Sequence, residues 1–103
     1  MYKIKYYNFD NLMATIWVDY KTDTVRVENY SDDVLHLPFG VNQAPTMKDF
    51  EHMLEERCFP RTRDNLKGEL ARVGVDFYDP FEICKKTQGR CYEDHEWMEI
   101  ESV

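Results

Sequence analysis

Glycine is scarce in this chain of 103 residues, and the four present, Gly40, Gly68, Gly74 and Gly89, stand apart from one another. That excludes a glycine-rich loop, which needs clustered glycines so that backbone amides can close on a phosphate. Apolar residues never run for the roughly eighteen positions that a membrane-crossing helix requires. Met1-Tyr2-Lys3-Ile4-Lys5 leads into alternation instead of a signal-peptide core, so the expected location is the cytosol and no membrane partner is expected. Cysteine is limited to Cys58, Cys84 and Cys91, an odd number without a secretion signal, which predicts reduced thiols and not a disulfide framework. Basic residues are also few, with 13 Lys and Arg against 20 Asp and Glu and a net charge of -7. A sequence-independent grip on nucleic-acid phosphates is therefore disfavoured, and a basic partner suits the surface better.

What is abundant is large apolar side chains. The composition is 43% hydrophobic, with seven Tyr, six Phe and two Trp, which places the chain among ordered globular domains. Its length suits a single domain, burying somewhat over 60% of the surface that the unfolded chain exposes. No internal repeat, low-complexity run or linker divides it.

The first forty residues alternate. Tyr2, Ile4 and Tyr6 share one face against Lys3, Lys5 and Tyr7, the period-two pattern of a half-buried strand. After a turn at residues 8–11, Leu12, Ala14, Ile16 and Val18 continue the apolar face while Met13, Thr15 and Trp17 point the other way, so this strand is predicted to be central. Lys21-Thr22-Asp23 turns again into Val25 and Val27, a third strand with one wet face. Val34 to Leu37 reads as a short apolar strand stopped by Pro38 and Gly40. Three helices follow. Thr46 with Asp49 signals a capped start for one bearing Met47, Phe50, Met53 and Leu54 on a single face. A second is predicted from about Thr62, with Leu66, Leu70 and Val73 buried and Gly74 closing it, although Gly68 costs roughly 1 kcal/mol relative to Ala. A third opens at Asp79-Pro80-Phe81-Glu82, where Asp79 caps, Pro80 takes the first helical position and Glu82 completes a capping box, and Gly89 ends it. Trp97, Met98 and Ile100 are expected to return as a strand beside the sheet. The expected fold class is α+β in one domain, 1–103, with an antiparallel meander over 1–40, a helical part over 46–89 and a closing strand over 95–101.

Candidate chemistry is thin. Cys84, Cys91 and His95 fall within twelve residues, but no fourth ligand stands nearby and their spacing suits structural cysteines better than zinc. No cofactor, metal or catalytic constellation is therefore expected, and the chain is read as non-enzymatic. The acids Glu93, Asp94, Glu96, Glu99 and Glu101 crowd the last eleven residues; alternation sends Glu96 one way and Glu99 with Glu101 the other, as on a solvated face. With Asp32 and Asp33, the same acids have a second reading, as stand-ins for phosphates on a basic groove. Arg57, Arg61, Arg63, Lys67 and Arg72 place five basic residues in sixteen positions, with Arg63 and Lys67 four apart. They read either as partners for the chain's own acids or as a docking patch for an acidic surface. Trp97 and Trp17 would dominate an interface if exposed, and need no explanation if buried.

The order of short motifs carries a resemblance. Leu35-His36-Leu37-Pro38-Phe39, a helix with Phe50 and Leu54, Phe59-Pro60 followed by Arg63, and a capped helix from Asp79-Pro80-Phe81 through Ile83 to Gly89-Arg90 together resemble the small N-terminal subdomain of HipA-like Ser/Thr kinases. His36 and Phe39 replace that family's serines, and Cys58-Phe59 replaces its paired leucines. The ATP-binding part of the family has no counterpart among these residues, so kinase activity is not implied. The Arg57-to-Arg63 segment, Asp79-Pro80 and Gly89-Arg90 also resemble short stand-alone proteins of Gram-positive mobile elements. The resemblance implies a protein-binding module that restrains a kinase-like toxin by occlusion, through Trp97, Arg61, Arg63 and Lys67. The alternative is an acidic inhibitor of a nucleic-acid enzyme, such as an anti-CRISPR protein, acting through Asp32, Asp33, Glu93, Asp94 and Glu96.

Overall fold

Two tight turns join the first three strands into an antiparallel meander, and the last strand closes the sheet on its other side. The structure, a computed structural model, describes residues 1–62, 64–91 and 94–103. β1 (Tyr2–Asn8), β2 (Asn11–Asp19), β3 (Thr24–Asn29) and β4 (Glu96–Ser102) lie in the order β3-β2-β1-β4, with every neighbouring pair antiparallel. The register aligns one apolar row across all four strands, Ile100 opposite Ile4, Ile4 opposite Ile16 and Ile16 opposite Val27. Directly opposed β-branched side chains on one face stabilise a sheet and fix its register, because a one-residue slip would turn the whole row to solvent.

Three helices follow, α1 (Met47–Glu56), α2 (Leu66–Val73) and α3 (Pro80–Thr87); α1 and α3 cover that row, and α2 packs against α3. α1 starts where expected, with Thr46 accepting from the Asp49 amide and Asp49 accepting from the Thr46 amide in return. It delivers Phe50, Met53 and Leu54 into a core shared with Ile4, Ile16, Cys84 and Met98. The opposite face of the sheet is wet, and carries Lys3, Lys5, Arg26 and Glu101 beside Trp17, over whose ring the Arg26 guanidinium lies at 4.2 Å.

Several local expectations are corrected. Val34 to His36 is a single 3₁₀ turn with no strand partner, held by amide bonds from His36 to the Asp33 carbonyl and from Leu37 to the Val34 carbonyl. Four residues ending at a proline offer too few amides to join a ladder, and a turn satisfies them locally. In β2, pairing jumps from Tyr6 opposite Ala14 to Tyr7 opposite Leu12, so Met13 is the extra residue of a bulge. Met13 consequently enters the core, and Leu12, expected inside, is 38% exposed. α2 begins at Leu66 and not near Thr62, because Asn65 takes a left-handed conformation (φ 59) that cannot lie within a helix. Residue 63 lies outside the described residues. In α3, Asp79 caps through the Phe81 amide, but the Glu82 carboxylate turns to Lys85 at 3.5 Å. Gln88 and Gly89 both have positive φ and end α3 together.

Gly89 is where the helical layer meets β4. A Cβ there would stand 2.8 Å from the terminal methyl of Met98, which is fully enclosed, at a φ of +65 that alanine disfavours. At Gly74, also left-handed, a Cβ would meet nothing within 4 Å. We expect Gly74→Ala to cost about 1 kcal/mol and Gly89→Ala about 2–3 kcal/mol in urea denaturation. Equal losses at the two positions would mean that Met98 yields freely.

Candidate functional site

The residues predicted to bind a partner fall into two groups in the structure, one turned inward and one left on the surface. At the inward centre is Arg57, the residue after α1, which is 8% exposed. Its Nε donates to the Gly89 carbonyl at 2.8 Å, and its two terminal nitrogens grip both carboxylate oxygens of Asp94 at 2.7 and 2.8 Å. One of them also donates to the Glu96 carbonyl at 2.8 Å. The planar guanidinium fork suits this two-point hold on a carboxylate. Burial is the largest effect on Arg57 and disfavours its charge, yet the bonds to Asp94 together with the electrostatic influence of Tyr6, Cys91 and Asp94 outweigh it and raise its affinity for the proton. The same bonds hold the Asp94 carboxyl below the usual carboxylate range, against the effect of its own partial burial.

Glu96 is also turned inward. Its Oε1 accepts from the Tyr6 hydroxyl at 2.7 Å, and burial, chiefly, raises the affinity of that phenol for its proton. His36 Nδ1 lies 3.6 Å from the other Glu96 oxygen, and Nε2 lies 3.8 Å from Asp33. Asp94 and Glu96 are therefore structural acids, whereas Asp32 and Asp33 remain exposed and Glu93 lies outside the described residues.

Trp97 is half-buried and stacks on Tyr7 with ring centres 4.3 Å apart. The Arg90 guanidinium covers it at 4.6 Å, and its indole nitrogen donates to the Phe9 carbonyl at 2.6 Å. Its ring is thus packed within the fold instead of standing free. Among the other basic residues, Arg72 pairs with Glu69 at 2.8 Å and Arg61 lies over the Tyr78 ring at 4.7 Å. Lys67 is exposed on α2, and Arg63 lies outside the described residues. Among the described residues no group of three or more His, Cys, Asp or Glu is arranged to hold a metal ion. No described helix is long and apolar enough to cross a membrane.

A different site emerges where α1, the start of α3 and the β1 and β2 ends meet. Tyr2, Tyr20 and Phe81 pack edge to face, with ring centres 4.8 to 6.1 Å apart, beside an open recess of about 410 Å³. Glu51 and Glu55 line it from α1, with Asp79 and Glu82 from α3. Lys85 offsets Glu82, but neither Glu51 nor Glu55 is in an ion pair with a described residue. Burial, chiefly, and then Glu51 and Asp79 push the Tyr20 phenol up to about 12, and the carboxylates of Glu51, Glu55, Asp79 and Glu82 line the recess with negative charge. Aromatic rings beside unpaired carboxylates attract a cation by quadrupole and by charge. Sequence reading missed this site because its residues come from four separated segments. One signal was present: Glu51 and Glu55 stand four apart on a helix, where like charges repel.

Comparison with protein-family models, with curated proteins and with solved structures finds no match to this chain.

The Arg57 pair makes stability depend on pH in a defined direction. Because the folded state lowers the Asp94 pKa, its contribution is fully present above the unfolded value of about 3.9 and is lost as pH falls through the folded value. Arg57→Ala, which leaves Asp94 without its partner, should cost about 3–5 kcal/mol at pH 7. Asp94→Asn should flatten the acid limb of the stability curve below about pH 5. Unchanged acid limbs in denaturant titrations of the Asn variant would remove Asp94 from this role.

Proposed function

We propose that the chain is a non-enzymatic protein-binding module that restrains a basic protein partner by occlusion, docking through the acidic aromatic recess. The observation that carries this reading is the pairing of Tyr2, Tyr20 and Phe81 with Glu51 and Glu55, carboxylates that have no basic partner among the described residues. The core packing makes no use of those two charges: α1 turns Phe50, Met53 and Leu54 inward and leaves both glutamates exposed. A helix that tolerates like charges at i and i+4, beside aromatic rings, is suited to a lysine or arginine side chain from outside. The net charge of -7 steers a basic surface toward it.

The resemblance to a detached HipA-like N-terminal subdomain supplies the manner of restraint, a small domain seated over the cleft of a kinase-like toxin in the cytosol. The basic residues Arg61 and Lys67 contribute a second, weaker contact at the exposed start of α2. The rival reading, mimicry of nucleic-acid phosphates against a nucleic-acid enzyme, draws on Asp32 and Asp33. It loses two of its acids, since Asp94 and Glu96 are engaged by Arg57 and Tyr6.

Capture from lysate of the source cell, with the chain kept reduced, separates these surfaces. Glu51→Lys/Glu55→Lys and Tyr20→Ala should each weaken retention of the partner at least about tenfold, and added salt should weaken the wild-type contact. Arg61→Ala/Lys67→Ala should weaken it less, and the retained partner should lose activity when bound. Retention that survives the charge reversal and fails on Asp32→Asn/Asp33→Asn would transfer the function to the mimicry reading.

A further inference from the structure

We infer that Cys58 and Cys84 form an oxidation site, a dithiol that a small disulfide closes into an intramolecular bridge between the end of α1 and the middle of α3. The two sulfurs lie 3.6 Å apart although 26 positions separate the residues. A disulfide bond is about 2.05 Å long, so the sulfurs must approach by about 1.5 Å, within the reach of small side-chain rotations. Cys58 is half-buried and reachable, while Cys84 is fully buried against Leu54 of α1. Cys91 lies beside Arg57, with its sulfur 3.6 Å from the Arg57 carbonyl.

The exchange balances with a small disulfide such as oxidised glutathione. The Cys58 thiolate attacks one sulfur of that molecule, forming a mixed disulfide and releasing the first small thiol. Cys84 then gives up its proton to a released thiolate and attacks the Cys58 sulfur, which expels the second small thiol. Two protein thiols are oxidised and one disulfide is reduced to two thiols. The order follows from access, and the hydrogen bond with Cys58, together with burial, favours the protonated form of Cys84 until that second step.

The bridge would act on the recess. The Cys58 sulfur lies 3.6 Å from the Pro80 carbonyl and the Cys84 sulfur 3.7 Å from the Leu54 carbonyl, and Pro80 and Leu54 both line that recess. Closing the bridge fixes the α1–α3 spacing there; that this alters docking rests on the function proposed above, whereas the bridge itself does not.

The test is peptide mapping after incubation of the full chain in glutathione buffers of graded poise, with thiols trapped by alkylation. The folded wild type should yield the Cys58–Cys84 pair with Cys91 alkylated, at least about tenfold faster than chain unfolded in urea, because the fold holds the thiols together. Dithiothreitol should reverse it. Cys91→Ser should keep the bridge, and Cys84→Ala should stop at a glutathione adduct on Cys58. A folded wild type that accumulates only adducts, or pairs Cys91 instead, overturns the site. Because the capture experiment uses reduced chain, loss of the bridge and loss of the docking reading are seen separately.

Discussion

The guanidinium of Arg57 is the point on which the remaining geometry depends. It joins three segments that are distant in sequence: the end of α1, the left-handed turn at Gly89 and the entry to β4. Its donations go to the Gly89 and Glu96 carbonyls and to both oxygens of Asp94, one of which also accepts from the Glu96 amide, so the charge is satisfied as fully as its burial requires. A lysine could supply the charge but not the fork, and would leave either Asp94 or a carbonyl without its partner. The cost of burying an ion pair means that such a contact adds less to stability than its short distances suggest. Its main effect is to select one arrangement: β4 reaches β1 in the register that sets Ile100 opposite Ile4 and brings Met98 under Gly89.

The sheet was legible because alternation is a local property. Tyr2, Ile4 and Tyr6, or Val25 and Val27, declare their face without reference to anything far away, and the register only assembles those faces. Helix starts were legible for the same reason, since Thr46 with Asp49, and Asp79 with Pro80, act within one turn. Failures came where a local pattern met a second constraint. Leu12 continues the apolar alternation, yet the bulge at Met13 reverses the two, and nothing in the apolar pattern marks an extra residue. Val34 to Leu37 has strand composition, but its amides bond locally, His36 to the Asp33 carbonyl and Leu37 to the Val34 carbonyl. Gly68 looked like a pure cost to α2; its missing Cβ leaves room for the Asn65 side chain, which would otherwise meet it at 2.6 Å.

The site was harder to read than the fold, for a physical reason. Charge patterns record how many ions a segment holds and not which ones find partners. Arg57 was one of five basic residues within sixteen positions, and its acid lies 37 positions away. Once that pair and the Tyr6 contact to Glu96 are drawn, Asp94 and Glu96 cease to be surface features while Glu99 and Glu101 stay exposed, and Trp97 becomes part of a stack with Tyr7 and Arg90. The recess reverses the case: each of its residues looks ordinary alone, and only the fold brings Tyr2 and Tyr20 to Phe81.

The charges that the fold does not use are the informative ones. Thr46, Asp79, Asp94 and Glu96 each satisfy a donor that would otherwise be unbonded, so selection for folding accounts for them. Glu51 and Glu55 satisfy none, and their mutual repulsion subtracts a few tenths of a kcal/mol from α1. A sequence that caps α1 and α3 and aligns its apolar row places repelling charges at the wall of an aromatic recess. A bound cation would turn that repulsion into attraction for both carboxylates at once, so what is a local cost in the isolated chain becomes a gain in the complex.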